Sequence, residues 1–516
     1  MAKVVTADEA VALVPDGGTL LIVPMPSEEV YPAFGRQFKE TGSPKDLTVL
    51  WAAGLGPFSE EPQGMNHFAV PGMMKRLIAA HIGLNHAVMK MVAMNQCETY
   101  ILPQGVMCQL YREIGGGRPG LLTRVGLGTF IDPRIEGGKA NQVTQDCEDL
   151  AEVVEVGGRE HLLYKRMHID AAVIRGTAVD PAGNITADDE AIRMENFEAA
   201  MAARNSGGIV IAQVQEVLDA PVNPHHVFVP GVFVDYVVVA QTPEAHPHTL
   251  FTQHDDTFTG KKYADLAQEI HPMPLGPEKV ICRRAAMELR PEMNVNLGIG
   301  IPMGVAQVAF EEGLLDALML NTEIGVLGGL PEGGTNFGPA KNPKAFISQA
   351  AMFDFYDGGG LDATCVGMAQ ADKHGNVNVS RLGPKVIGCG GFVNITQSAQ
   401  KCCFCGEFSA VGHDATVENG RLLIREHGKV AKFMDHVEQI TFSGDVARRA
   451  GQEVLYITER CVFQLVPEGL KLIEVAPGVD MQADILDRMD FQPIVPDDVK
   501  PMAEALFQEA PLGMPL

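Results

Sequence analysis

Aromatic residues are scarce in this 516-residue chain, at 6% with a single tryptophan, and 40 Lys and Arg face 65 Asp and Glu. The net charge of −25 argues against a nucleic acid or an anionic membrane as partner, because phosphate binding relies on clustered cations. It leaves room for an anionic small molecule held by glycine loops and a few local cations. Long apolar runs are missing too: none approaches the ~18 to 20 residues that span a bilayer. The opening "MAKVVTADEAVALVPDGG" has no apolar stretch behind a basic start, so no secretion signal is expected. Ten cysteines scattered through apolar surroundings predict a reducing, cytoplasmic setting rather than a disulfide framework.

Several signatures are absent as well. No glycine loop ends in Gly-Lys-Ser/Thr, so none is a P-loop, and "GLGTFIDP" lacks the third glycine of the dinucleotide fingerprint. No HxxxH or paired CxxC occurs, so no metal is expected. The single Cys402-x-x-Cys405 sits in the alternating run "KCCFCGEF" and reads as core, while His81 and His86 in "AAHIGLNH" read as surface or core histidines.

What the chain has in plenty is glycine, 55 residues, and apolar strand-like runs separated by helical stretches. "TLLIVPM" (19–25), "DLTVLWAAG" (46–54), "AAVIRG" (171–176) and "GGIVIAQVQEV" (207–217) read as buried parallel strands. "MMKRLIAAHIG" and "ENFEAAMAARN" read as helices between them, which predicts open α/β sheets.

An internal repeat refines that expectation. "DAAVIRGTAVDPAGNI" (170–185) aligns without gaps to "DATCVGMAQADKHGNV" (362–377). In the same order, "DLTVLWAAGLG" (46–56) falls against "DALMLNTEIGV" (316–326), and "VPDGGTLLIVPMP" (14–26) against "RPEMNVNLGIGIP" (290–302). The fold class expected is therefore α/β, two tandem open domains from a duplication. The polar stretch "PEAHPHTLFTQHDDTFTG" and the proline-rich "HPMPLGPEK" divide them into domain one, 1–245, a linker, 246–278, and domain two, 279–516.

The repeat exposes one anomaly. In "NTEIGVLGG" (321–329) Glu323 closes an apolar strand, where this alignment gives the first half Ala53. The fold does not demand the carboxylate. Ligand sites in open α/β sheets form at the carboxyl ends of strands, so Glu323 is a candidate nucleophile, general base or metal ligand, the last weakest for want of partners. Glycine-rich loops at 114–120, 125–130, 296–302, 330–338, 356–362 and 387–392 suggest a backbone-lined site with donors for a developing oxyanion.

These residues resemble family I coenzyme A transferases, most closely the single-chain acetate/propionate (short-chain acyl) CoA-transferases, which look like fused α and β subunits of two-chain relatives. The resemblance is carried by Glu323-Ile324-Gly325-Val326-Leu327-Gly328, "NLGIGIP", "GGTNFGPAKNP", "FDFYDGGGLD", "GMAQADKHGNVNVS" and "GCGGFVNIT", with "LPQGVMCQLYREI" and "VGLGTFIDPR" in the first half. It implies ping-pong transfer of coenzyme A from a short-chain acyl-CoA to a free carboxylate such as acetate or propionate, through a glutamyl-CoA thioester on Glu323. Gly390 and Gly391 become the expected oxyanion donors. Gln104, Ile324 and Gly325 become expected substrate contacts, and Gly298, Gly300 and Lys341 expected coenzyme A contacts. Lys344, Arg381 and Lys385 are further candidate cations for its phosphates. Coenzyme A is then a co-substrate with no permanently bound cofactor, and the enzyme a cytoplasmic homo-oligomer, dimer or tetramer. Ile324 departs from the asparagine common in two-chain relatives, which bears on acyl selectivity. A succinyl-CoA:3-oxoacid CoA-transferase, an acyl-CoA hydrolase and a catalytically dead ligand-binding protein are the alternatives.

Overall fold

The computed structural model describes residues 2–514. The first half is built on an eight-stranded sheet, all of whose pairings are parallel, in the spatial order Lys3–Val4, Tyr236–Val239, Ile209–Val214, Ala171–Arg175, Thr19–Ile22, Leu47–Trp51, Met74–Ala79, Glu98–Ile101. The central strands are buried along their length, which is why they read as continuous Val, Ile and Leu, whereas Met74–Ala79, read from sequence as part of a helix, is a strand of this sheet. The second half repeats the plan around Met319–Thr322, Asn294–Leu297, Ala363–Gly367, Lys401–Cys405 and Glu453–Ile457, again parallel, within a ten-stranded sheet.

The duplication extends to side chains. Asp180 Oδ1 accepts the amide of Asn184 at 2.9 Å and Oδ2 the Asn184 side-chain amide at 3.0 Å; Asp372 does the same to Asn376 at 3.0 and 3.0 Å. Asn184 and Asn376 each accept one more backbone amide, from Gly231 and from Gly444. At the other end of each repeat, Asp170 receives the amide of Thr19 and Asp362 that of Asn294, both at 2.8 Å.

This last pair corrects the register read from sequence. Thr19 corresponds to Asn294, and their sheet partners are Thr48 and Met319. Counting four residues on, the equivalent of Glu323 is Ala52, one residue before the expected Ala53. A one-residue slip reverses which face a strand residue occupies. Ala52 is fully buried, so the acid is still an addition to a fold that does without it.

The halves meet along helix Gln104–Gly115, which lies against helix Gln349–Phe355 of the second half. Gly105 permits that approach: a Cβ there would stand 2.5 Å from the Phe353 ring. Its amide donates to Asn394 Oδ1 at 3.1 Å, and Gln109 Nε2 donates to Asp354 and Asp357 at 3.1 and 2.8 Å. The segment expected as a linker, 246–278, carries helices Asp256–Thr259 and Leu266–Glu269. Buried His246 bonds to Glu190 and Gln213 of the first half, while Thr249 donates to Asn336 of the second at 2.6 Å.

Candidate active site

Glu323 follows strand Met319–Thr322 directly and is 8% exposed. Asn296, on the neighbouring strand, points its Nδ2 at Glu323 Oε2, 3.5 Å away. Tyr356 donates to Asn321 in the layer beneath, which steadies the strand end. Burial raises the pKa of Glu323 above the ordinary carboxylate value, against hydrogen bonds from its own amide and from Asn296 that lower it. A carboxylate held this way is short of solvent and correspondingly more nucleophilic.

The carboxylate borders a cavity of about 320 Å³ between the halves. Pro24, Ala53, His81, Gln104 and Met194 wall it from the first half, and Asn296, Gly298, Ile324, Gly338 and Gly391 from the second. His248 and Thr249 of the connecting segment close one side. Among the described residues that line it, none is lysine or arginine.

The glycine corner divides its labour. The Gly390 amide donates to Ala80 O at 2.9 Å, so it is unavailable as the expected oxyanion donor. The Gly391 amide has no acceptor among the described residues, and its Cα faces Glu323: a Cβ would lie 3.2 Å from Glu323 Cγ. Gln104 lines the cavity with its Nε2 buried and unpartnered. Ile324 lines it as well, packed against Gly338.

Three expected contacts lie elsewhere. Gly325 has φ +102° and a Cβ would meet Ile347 O at 2.1 Å, so it is glycine to let a neighbouring strand pass. Gly300, at φ +85°, forms the turn into Ile301–Met303 outside the cavity, though Gly298 lines it. Lys341 is paired with Glu269 and does not reach the cavity.

Other residues in the wall escaped the sequence reading. His81 is there instead of in the core or at the surface, and only its neighbours' apolar character was visible. Met194, at φ 52°, is a strained non-glycine residue on the cavity wall. Cys402 and Cys405 are buried in two different core clusters on opposite sheet faces, so they cannot share a ligand. One set of metal-type side chains, Asp189, His248 and His254, brings ligand atoms within 4.8 Å of one another. It does not suit a metal. The Asp255 amide donates to His248 Nδ1 at 3.1 Å, which leaves the neutral ring's proton on Nε2, the atom nearest Asp189, and the Lys261 ammonium holds Asp189 at 2.6 Å.

The coenzyme A transferase family model matches residues 4–240. Caffeate CoA-transferase of Acetobacterium woodii is 45% identical over 519 residues, 99% of this chain and 98% of the other. Full-length similarity of that order decides the matter. The chain belongs to the coenzyme A transferase family. Acetate CoA-transferase YdiF of Escherichia coli K12 is 38% identical, covering 99% of this chain and 96% of its own. The crystal structure of the acyl-CoA transferase YdiF apoenzyme from E. coli O157:H7 superposes with a TM-score of 0.93 at 37% identity, over 100% of this chain and 98% of that one. The same enzyme in its thioester complex with CoA gives 0.92 over the same shares. This protein is accordingly a CoA-transferase with coenzyme A as a substrate. No helix among the described residues is long and apolar enough to cross a membrane.

Proposed function

We propose that the enzyme carries coenzyme A from an acyl-CoA to a free monocarboxylate with no second charged group by way of Glu323, acetate and propionate being the small members of that class. A Glu323 oxygen attacks the thioester carbonyl, the C–S bond breaks, and an acyl-glutamyl anhydride and CoA thiolate result. The thiolate attacks the glutamyl carbonyl, the C–O bond breaks, and the first carboxylate leaves a glutamyl-CoA thioester behind. The incoming carboxylate reverses the sequence, and no proton is consumed. The observation that carries this reading is a buried strand-end carboxylate with Asn296 on one side and the free Gly391 amide on the other. That amide would meet the developing oxyanion.

Acceptor class follows from charge. A dicarboxylate such as succinate would bring a second anion into a wall without lysine or arginine, and an unpaired buried charge is strongly disfavoured. This weighs against the succinyl-CoA:3-oxoacid alternative. Bulkier aromatic acids are a second reading, supported by the cavity of about 320 Å³ and by the relative named for caffeate. The proposal includes domains 1–245 and 279–516 joined by 246–278, a homo-oligomeric dimer or tetramer, and a cytoplasmic setting, the last supported by ten unpaired cysteines.

Incubation with acetyl-CoA followed by borohydride, with peptide mass analysis, tests the carrier: modification is expected at Glu323 and lost in Glu323→Gln. An unmodified, active enzyme would sink the mechanism. Initial rates against acetate, propionate, caffeate and succinate, with parallel double-reciprocal lines for transfer rather than hydrolysis, read the acceptor class.

A further inference from the structure

His81 is the one titratable side chain of the first half that lines the reaction cavity. The backbone on both sides of it is pinned across the domain boundary. Ala80 O accepts from Gly390 at 2.9 Å, and the Ile82 amide donates to Ile387 O at 2.9 Å. Its own carbonyl accepts the Trp51 indole N–H at 3.1 Å. The ring fills space that two glycines leave open: a Cβ on Gly54 would lie 2.7 Å from Nδ1 and one on Gly83 3.0 Å from Cε1, while one on Gly390 would make an ordinary contact, 3.9 Å from Cδ2. Gly390 is also where Gln104 Oε1 approaches, 3.5 Å from its would-be Cβ, and Gly391 beside it touches Glu323. The imidazole therefore lines the cavity beside Gly390, with Cδ2 toward that residue and Nε2 next to it on the ring, and Gly391 in turn borders the nucleophile.

No described group hydrogen-bonds to its ring, and burial lowers its pKa to about 4. The ring is neutral in ordinary conditions, with one N–H to donate and nothing among the described residues to receive it. An unused donor on a cavity wall is a ligand contact in waiting.

We propose that His81 donates a hydrogen bond from its neutral ring to the carbonyl oxygen of the acyl thioester, as the second oxyanion donor beside the Gly391 amide. The proposal rests on the CoA-carrier reading of Glu323. It accounts for the corner as a whole: the backbone pairing that removes the Gly390 amide is the one that delivers the imidazole. Donation leaves the proton on nitrogen throughout. A neutral ring stabilises the oxyanion without being an acid strong enough to protonate the CoA thiolate between its departure and its return, so the thiolate keeps its nucleophilicity.

Rapid-quench measurement of adduct formation on Glu323 from acetyl-CoA tests this. His81→Phe keeps the ring's bulk without a donor and is expected to slow the step by about 100-fold, with KM for acetyl-CoA altered less than about threefold. His81→Gln restores a donor and is expected within about tenfold of wild type. Adduct formation by His81→Phe at the wild-type rate, or His81→Gln as slow as His81→Phe, overturns the proposal while the CoA-carrier reading stands. Absence of any adduct in the wild-type enzyme overturns that reading and this one with it. A measurement without a His81 variant guards against misfolding. In Glu323→Gln with His81 intact, the His81 ring N–H proton resonance is expected to move downfield when acetyl-CoA binds, and an unmoved resonance rejects the donor.

Discussion

Gly391 and Glu323 touch: a Cβ on Gly391 would lie 3.2 Å from Glu323 Cγ and 3.1 Å from Ile395 Cδ1. The backbone there is ordinary right-handed helix, φ −78°. Gly391→Ala is therefore expected to fold with a melting temperature lowered by only a few degrees, because its neighbours need to give a few tenths of an ångström. Its turnover should still fall, by less than the about 100-fold that a ~1 Å displacement of a reacting group costs, because one of those neighbours is the nucleophile. Gly390→Ala, at φ +51°, should do the opposite, losing more stability than rate per adduct formed. Thermal melts and single-turnover rates on both variants check the pair.

Glu323→Asp retracts the carboxylate by one methylene. With Asn296 fixed in its sheet, the shorter acid is expected to form the CoA adduct about 100-fold more slowly while binding acyl-CoA with an unchanged KM. A drop in KM affinity instead would mean that Glu323 binds rather than reacts.

The acid limb of the pH profile belongs to Glu323. Its pKa is raised by burial, and attack needs the anion, so kcat/KM should decline with falling pH sooner than an exposed glutamate would dictate. The Asn296 hydrogen bond favours the anion. Asn296→Ala removes it and is expected to move the acid limb to higher pH while the limit at high pH falls. The profile of kcat/KM for acetyl-CoA in both proteins decides this.

Glu195 is wholly buried beside Glu198, and burial, with the charge of Glu198 adding, pushes its carboxyl up to about 8. The unfolded chain releases this proton near pH 4.5, the folded one near 8, so stability falls as pH rises through that window. Glu195→Gln is expected to stabilise the protein by a few kcal/mol at pH 8 and hardly at all at pH 4.5. Equal gains at both pH values would count against an uncharged Glu195.

The sequence was most legible where a strand, an aspartate and a Gly-Asn pair recur, because those residues bind one another locally. Asp180 and Asp372 organise their own turns, so their matching was visible from spacing alone. Glu323 stood out for a related reason, as an acid where its repeat has alanine. The register slip to Ala52 was not visible, since sliding an apolar strand by one residue changes its face and leaves its composition alone. Gly390 and His81 were hidden more deeply. Which amide is taken and which ring is free depends on backbone pairing between residues 80–83 and 387–390, a long-range fact that no local pattern encodes. Gly325 and Lys341 belong to a recognisable motif, yet one makes room for Ile347 and the other pairs with Glu269.

That cross-domain pairing also sets how firmly the halves hold together. Four backbone hydrogen bonds, from Ile82 and Gly83 to Ile387, from Gly390 to Ala80 and from Gln104 to Gly390, bolt the halves together at the pocket floor. At about 1 kcal/mol each, parting them leaves roughly one molecule in a thousand gaping at any instant. The four bonds hold residues 80–83 of the first half and 387–390 of the second in one register, so a change in either half is felt at the corner where Glu323 stands.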